Sequence, residues 1–358
     1  WGWGSALAIA CYVTGVVGIV LFIVIESRMG DDALIPLSLF RSSTFSMATV
    51  IGVLVGFGMF AGMMVIPLVL QIVHGMTPTE AGLATLPMIL GLMIASIGSG
   101  QIIARTGRYR VFPMVGTALM ALGYLILSLQ QYDSPLWMLL AGQLVLGLGL
   151  GQLMQTLTIA SQNSVQPKDM GVATAGATFF RQLGGTLGVA VVFSVLFSRV
   201  VDTMAASFQR SDLLASMQAA LQDPTVLSDP ANQRIIALLQ DPSAIGSAFS
   251  DDSSFLNGAD PRLTAPFLDG FATATSTVFL VGMAVVLVAF VLTLFFRTPP
   301  LRQRSAMEEA LAEKAELDQL AAEQVTTGSI AVPVVAAPER DDDARTGTGP
   351  GSHARREE

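Results

Sequence analysis

From residue 45 to residue 73 the chain reads FSMATVIGVLVGFGMFAGMMVIPLVLQIV, with no Asp, Glu, Lys or Arg. Apolar side chains recur on every side of a helix drawn through it, so the helix has no polar face to turn to water. A bilayer core of ~30 Å is crossed by roughly 20 such residues, and this stretch exceeds that. Six more stretches of the same kind flank it, giving seven spans at residues 3–25, 45–73, 81–103, 111–129, 135–160, 171–200 and 271–296. Six of them carry no charged residue, and the seventh, 171–200, holds Arg181 deep inside. Backbone amides that cannot reach water must pair within a helix or a closed barrel. The ten-residue alternation of a barrel is absent, so the expected fold is an all-α polytopic membrane protein.

Composition agrees. The chain is 52% hydrophobic and 13% charged with a mean hydropathy of +0.61, where soluble domains average about a quarter charged. The net charge of −8 sits mostly in one long loop and the tail, and no basic patch points to nucleic acid. The single cysteine, Cys11, excludes an internal disulfide or a cysteine metal site. No metal or cofactor is expected. The chain opens on Trp1 without a basic n-region, which reads as a start in mid-protein and not as a signal peptide.

Positive charge at alternate span ends sets the orientation. One side holds Arg28, Arg41, Arg105, Arg108, Arg110, Lys168, Arg297, Arg302 and Arg304, and the opposite short connections, residues 74–80 and 130–134, hold none. Trp1 is therefore expected outside and the C-terminus in the cytoplasm. The long segment between residues 200 and 271 is then extracytoplasmic. Met204, Phe208, Leu214, Met217 and Leu221 recur there at helical spacing, broken at Asp223-Pro224, Asp229-Pro230 and Asp241-Pro242. Short amphipathic helices lying over the bundle or the lipid surface are expected, with a partly disordered loop as the alternative. A charged helix over 306–323 precedes a tail whose composition suits disorder.

Arg181 lies about 15 Å along its span. An arginine at that depth is costly unless it faces a wet cavity or a partner, which marks a functional site, although carbonyl pairing that locks two helices is the alternative. In the fifth span Gln152, Gln155 and Gln162 fall on one side and Gln143 on the other. Such amides can line a polar passage or only bond neighbouring helices. The glycines Gly142, Gly147, Gly149, Gly151, Gly184, Gly185 and Gly188 suit close helix packing first and a rocking hinge second. The spans offer no Asp, Glu or His for catalysis, and residues 271–296 no lysine for a retinal link. Neither an intramembrane enzyme nor a seven-span photoreceptor fits, and no catalytic residue is assigned.

Residues 100–110 read GQIIARTGRYR, a glycine turn with three arginines at a helix end. The string resembles the G-x-L-a-D-r-x-G-r-k-r signature of the major facilitator superfamily, in its C-terminal copy. Gly100, Arg105, Gly107, Arg108 and Arg110 match it, and the resemblance makes them a cytoplasmic gate motif. Ala104 stands where that family has aspartate, which speaks against a charge relay at this copy. Glu26, Arg28, Pro36, Leu37, Leu39, Phe40 and Arg41 look like the entry into the C-terminal bundle. Residues 181–188, RQLGGTLG, are similar to the R-x-L-G-G-x-x-G segment of fourteen-helix drug:proton antiporters of the EmrB/QacA type.

That resemblance implies a linker helix and connection over 1–41, a six-helix bundle over 42–300 with an extracytoplasmic loop over 201–270, and a cytoplasmic tail over 301–358. It further implies a multi-pass protein of the bacterial plasma membrane that exports amphiphilic small molecules in exchange for protons. The proton gradient then supplies the energy, Arg181, Gln182, Gln152 and Gln155 face the substrate cavity, and the proton-carrying acids lie in an N-terminal half upstream of Trp1. A major facilitator exporter of siderophores, lipids or amino acids is the rival reading.

Overall fold

The computed structural model describes residues 5–29, 37–240, 256 and 258–296. The expected helix at 306–323, the tail and the Asp241-Pro242 break fall outside them. The described residues are helical throughout, without a strand, and include seven stretches long and apolar enough to cross a membrane. In chain order the helices are α1 (Ala6–Met29), α2 (Ser43–Ile72), α3 (Pro78–Ala84), α4 (Leu86–Thr106), α5 (Val111–Ser128) and α6 (Leu136–Asn163). They continue with α7 (Met170–Ser207), α8 (Ser211–Leu221), α9 (Pro224–Ser228), α10 (Gln233–Gln240) and α11 (Pro261–Leu294). The protein is an all-α polytopic membrane protein.

Local chemistry sets the ends. Ser42 Oγ accepts from Phe45 N at the start of α2. Thr77 and Glu80 close a reciprocal capping box around the start of α3, which satisfies two amides that the first helical turn leaves open. The span expected over 81–103 is two helices: Pro87 has no N–H to donate to Leu83, and the chain breaks at Thr85 for that reason. Two other spans outrun their uncharged stretches, α7 reaching Ser207 and α11 starting at Pro261.

The six long helices after α1 form two triplets. α4 and α5 pack along α6, α7 and α11 pack along α2, and the triplets meet where α5 touches α11 and α2 touches α6. Glycines make crossings within both triplets, those of α4 with α6 and of α7 with α2 among them. Gly147 and Gly151 of α6 lie on the backbone at Met88 and Leu92 of α4, and a Cβ on Gly91 would sit 2.6 Å from Leu144 O. At the α2–α7 crossing Gly184 lies on Val53, Gly56 lies on the Arg181 carbonyl, and a Cβ on Gly188 would sit 2.6 Å from Phe57 O. Small residues let membrane helices gain contact through their backbones. The central seam is filled by side chains instead: Tyr124 is fully buried, donates its hydroxyl to the Gly58 carbonyl and lies 6.3 Å from Phe279. By contrast α1 stands apart, its apolar side chains exposed along its length, with Phe22 6.4 Å from Phe179 of α7.

The segment between α7 and α11 folds into a helical cap. Asp223, Asp229 and Asp260 each cap a new helical turn whose first residue is proline, so an Asp-Pro pair starts a helix as well as ending one. Met217, Val226, Ile235, Leu238 and Leu263 join the same apolar core as the transmembrane helices. The junction is polar: Asp269, 6% exposed, accepts from Ser207 Oγ at 2.7 Å and from Arg210 Nη1 at 2.8 Å.

Candidate functional site

Arg181 lies eleven residues into α7, about 16 Å from its first residue. Its carbonyl rests on Gly56, its side chain is half-buried, and no hydrogen bond or carboxylate reaches its guanidinium among the described residues. Packing of the glycines is what brings it there: with Gly184 and Gly188 pressed on α2, Arg181 is drawn against the same helix. Immediately before Arg181, two phenylalanines join an aromatic cluster that links α7 to the residues ahead of α2. Phe180 stands edge-on to Phe40 at 5.7 Å and to Phe179 at 5.3 Å, and Phe40 meets Phe45 at 5.3 Å. Phe40 thus ties the entry segment to α7, while Gln182 points away and is exposed.

The glutamines of α6 divide by environment. Gln162 Nε2 donates to Thr174 Oγ1 at 3.0 Å, which pins α6 to α7 and fixes their register. Gln155 lies seven residues from Gln162 on one helix and Arg181 seven from Thr174 on the other, both ~10.5 Å from the bond. Gln155, Gln152 and Arg181 therefore occupy about the same level. Gln155 is half-buried, with its amide against the backbone of Gly100. Gln152 keeps a buried Oε1 that has no partner among the described residues. Gln143, on the opposite side, is fully buried and neither amide atom has a partner there. Sequence spacing gave its direction; its isolation depends on which neighbours are apolar.

The arginine loop joins α4 to α5. Gly107, with φ +67°, takes the left-handed turn that ends α4 and donates its N–H to Ile103 O. Arg105, Arg108 and Arg110 are exposed, and Gly100 faces Gln155. Two residues that do not match the signature hold the loop down: Tyr109, which lies within it and is 2% exposed, accepts from Asn163 Nδ2 of α6 at 3.1 Å. Burial pushes the Tyr109 hydroxyl above its ordinary pKa, against the opposing effect of the Asn163 bond. In sequence only an aromatic residue set between two arginines signals it.

These features define a polytopic helical protein that carries polar side chains and, among the described residues, a cation without a carboxylate partner within its membrane-spanning part. A family description, Major Facilitator Superfamily, matches residues 1–189. A tetracycline resistance determinant of Streptomyces rimosus is 37% identical over 86% of this chain and 87% of its own length. An uncharacterised MFS-type transporter of Mycobacterium tuberculosis is 35% identical over 84% of this chain and 39% of its own. The multidrug transporter protein MdtP of Bacillus subtilis is 28% identical over 88% and 57%. The chain belongs to the major facilitator superfamily. It spans most of the first relative's length, but only about two fifths and somewhat over half of the other two.

Proposed function

We propose that the chain is the C-terminal half of a fourteen-helix, proton-driven exporter of amphiphilic compounds, embedded in a bacterial plasma membrane with its C-terminus in the cytoplasm. In this reading residues 1–41 are the linker, 42–300 the bundle with its cap over 201–270, and 301–358 the tail. An upstream half supplies the proton-carrying acids and the other wall of the cavity. The observation that carries the proposal is Arg181, half-buried at the level of Gln152 and Gln155 with no carboxylate on its guanidinium among the described residues. A charge held at that depth suits a site whose counter-charge arrives with the substrate or from the other half. The relatives named for tetracycline resistance and multidrug transport support export as the activity.

A second reading, an exporter of one compound class, draws support from the relative named for a single antibiotic. Efflux of a panel of cationic and neutral dyes by the complete transporter separates the two. Under the first reading Arg181→Ala abolishes export or changes its profile across the panel, at unchanged membrane insertion. Unchanged efflux of every dye at matched expression removes Arg181 from the site.

A further inference from the structure

The α4–α5 loop is a rigid mount for three guanidinium groups. Gly107 N–H bonds Ile103 O at 2.8 Å, Thr106 Oγ1 donates to Ile102 O at 2.7 Å and accepts from Arg108 N at 3.3 Å, and Phe112 N reaches Tyr109 O at 3.3 Å. Tyr109 turns inward to Asn163, which leaves its neighbours on both sides directed outward. Arg105, Arg108 and Arg110 are exposed, and no ion pair holds any of them among the described residues; Ala104, also exposed, brings no carboxylate to them. Apolar side chains on the same two helices flank the loop: Ile102, Val111 and Val115 are 50%, 62% and 41% exposed. Both helices are membrane spans, so the arginines sit where hydrocarbon gives way to water.

We propose that this loop binds the phosphate headgroup of an anionic phospholipid, whose acyl chains lie along Ile102, Val111 and Val115. Arginine presents a fork of donors that matches phosphate oxygens, and because the loop backbone is already fixed, little further ordering is lost on binding. A free phosphate would leave the flanking apolar side chains unused; a lipid satisfies charge and hydrocarbon together. The site does not rest on the export reading, since it concerns the bilayer around the bundle and not the cargo within it.

The test is thermal unfolding of the purified chain in a neutral detergent, titrated with phosphatidylglycerol, phosphatidylcholine or inorganic phosphate. Phosphatidylglycerol alone should raise the unfolding temperature in a saturable way. A basic residue near an anionic membrane surface contributes about fivefold in affinity, so removing three weakens binding on the order of a hundredfold. R105Q/R108Q/R110Q should show that loss. Ala104→Asp, which places a carboxylate beside Arg105 and one turn before Arg108, should weaken binding several-fold without removing an arginine, and remains informative if the triple variant fails to fold. Arg199→Gln, at an exposed arginine on α7, should bind as the parent does. Equal stabilisation by both lipids, the same effect from phosphate alone, or an undiminished response in both loop variants overturns the proposal.

Discussion

Replacing Gln143 by methionine should make the protein more stable. The amide is 0% exposed, and neither Nε2 nor Oε1 has a partner among the described residues. Its neighbours along α6, Leu139, Leu146 and Leu150, are buried and apolar. A buried amide without hydrogen bonds costs roughly 1–3 kcal/mol in proteins. Methionine keeps the length and nearly the volume of the side chain and removes both polar atoms, so Gln143→Met should gain about that amount. Gln143→Ala gains the same relief but leaves a cavity worth about 2–5 kcal/mol, so it should fall below the methionine variant by that margin. Reversible unfolding in mixed micelles, followed by far-ultraviolet circular dichroism, measures both. If Gln143→Met loses 1 kcal/mol or more, the amide is already bonded through an internal water, and the reasoning from its isolation fails.

Gly184→Val drives a side chain into the Val53 backbone and should cost more than the usual ~1–3 kcal/mol of overpacking, whereas Gly98→Val, which meets nothing within 4 Å, should be neutral; equal stability of the two by micelle unfolding would show that α2 and α7 have room to separate. Tyr109→Phe removes the acceptor of Asn163 and should lose about 0.5–1.5 kcal/mol, an effect absent if the loop is held elsewhere. The cap should loosen in acid. The Arg262 hydrogen bond holds Asp260 below the ordinary carboxylate range, and the Thr225 hydroxyl does so first for Asp223. Their contribution is therefore complete above the ordinary carboxylate value near 4 and disappears as pH falls through the lowered folded values. Hydrogen exchange, corrected for intrinsic rates, should rise in α9 and the start of α11 between pH 6 and pH 3 while α2 and α6 stay protected, and Arg262→Gln should flatten that response; uniform change across the chain would contradict it.

The transmembrane helices were legible because a charge-free stretch of span length has few structural solutions in lipid. Their ends were less so. A search for uncharged residues stops at Arg199 and resumes after Asp269, yet α7 and α11 continue past both. There Asp269 bonds Ser207 and Arg210, and a paired charge is compatible with a helix that has left the hydrocarbon. Of the site, the depth of Arg181 and the direction of the glutamines followed from helical geometry. The Gln162–Thr174 register and the Tyr109–Asn163 anchor did not, because each joins residues whose meeting depends on how two helices cross. The roles of Gly184 and Gly188 in packing were readable from their size, but only the structure shows that this packing sets the position of Arg181.

The glycine crossings within the triplets also bear on how such a bundle can deform. Where α4 and α5 lie on α6, and α7 lies on α2, backbone meets backbone at glycines, and no layer of rotatable side chains stands between to absorb a displacement. Each pair is a stiff strut that must travel whole. Compliance is left to the seam between the triplets, where Met120 and Val286 face Gly58, and Leu146 faces Gly62. A methionine can change rotamer and refill a gap; a carbonyl against a glycine cannot. The bundle thus has soft material along its middle and hard joints at its flanks, so a sliding motion meets the least resistance between the triplets.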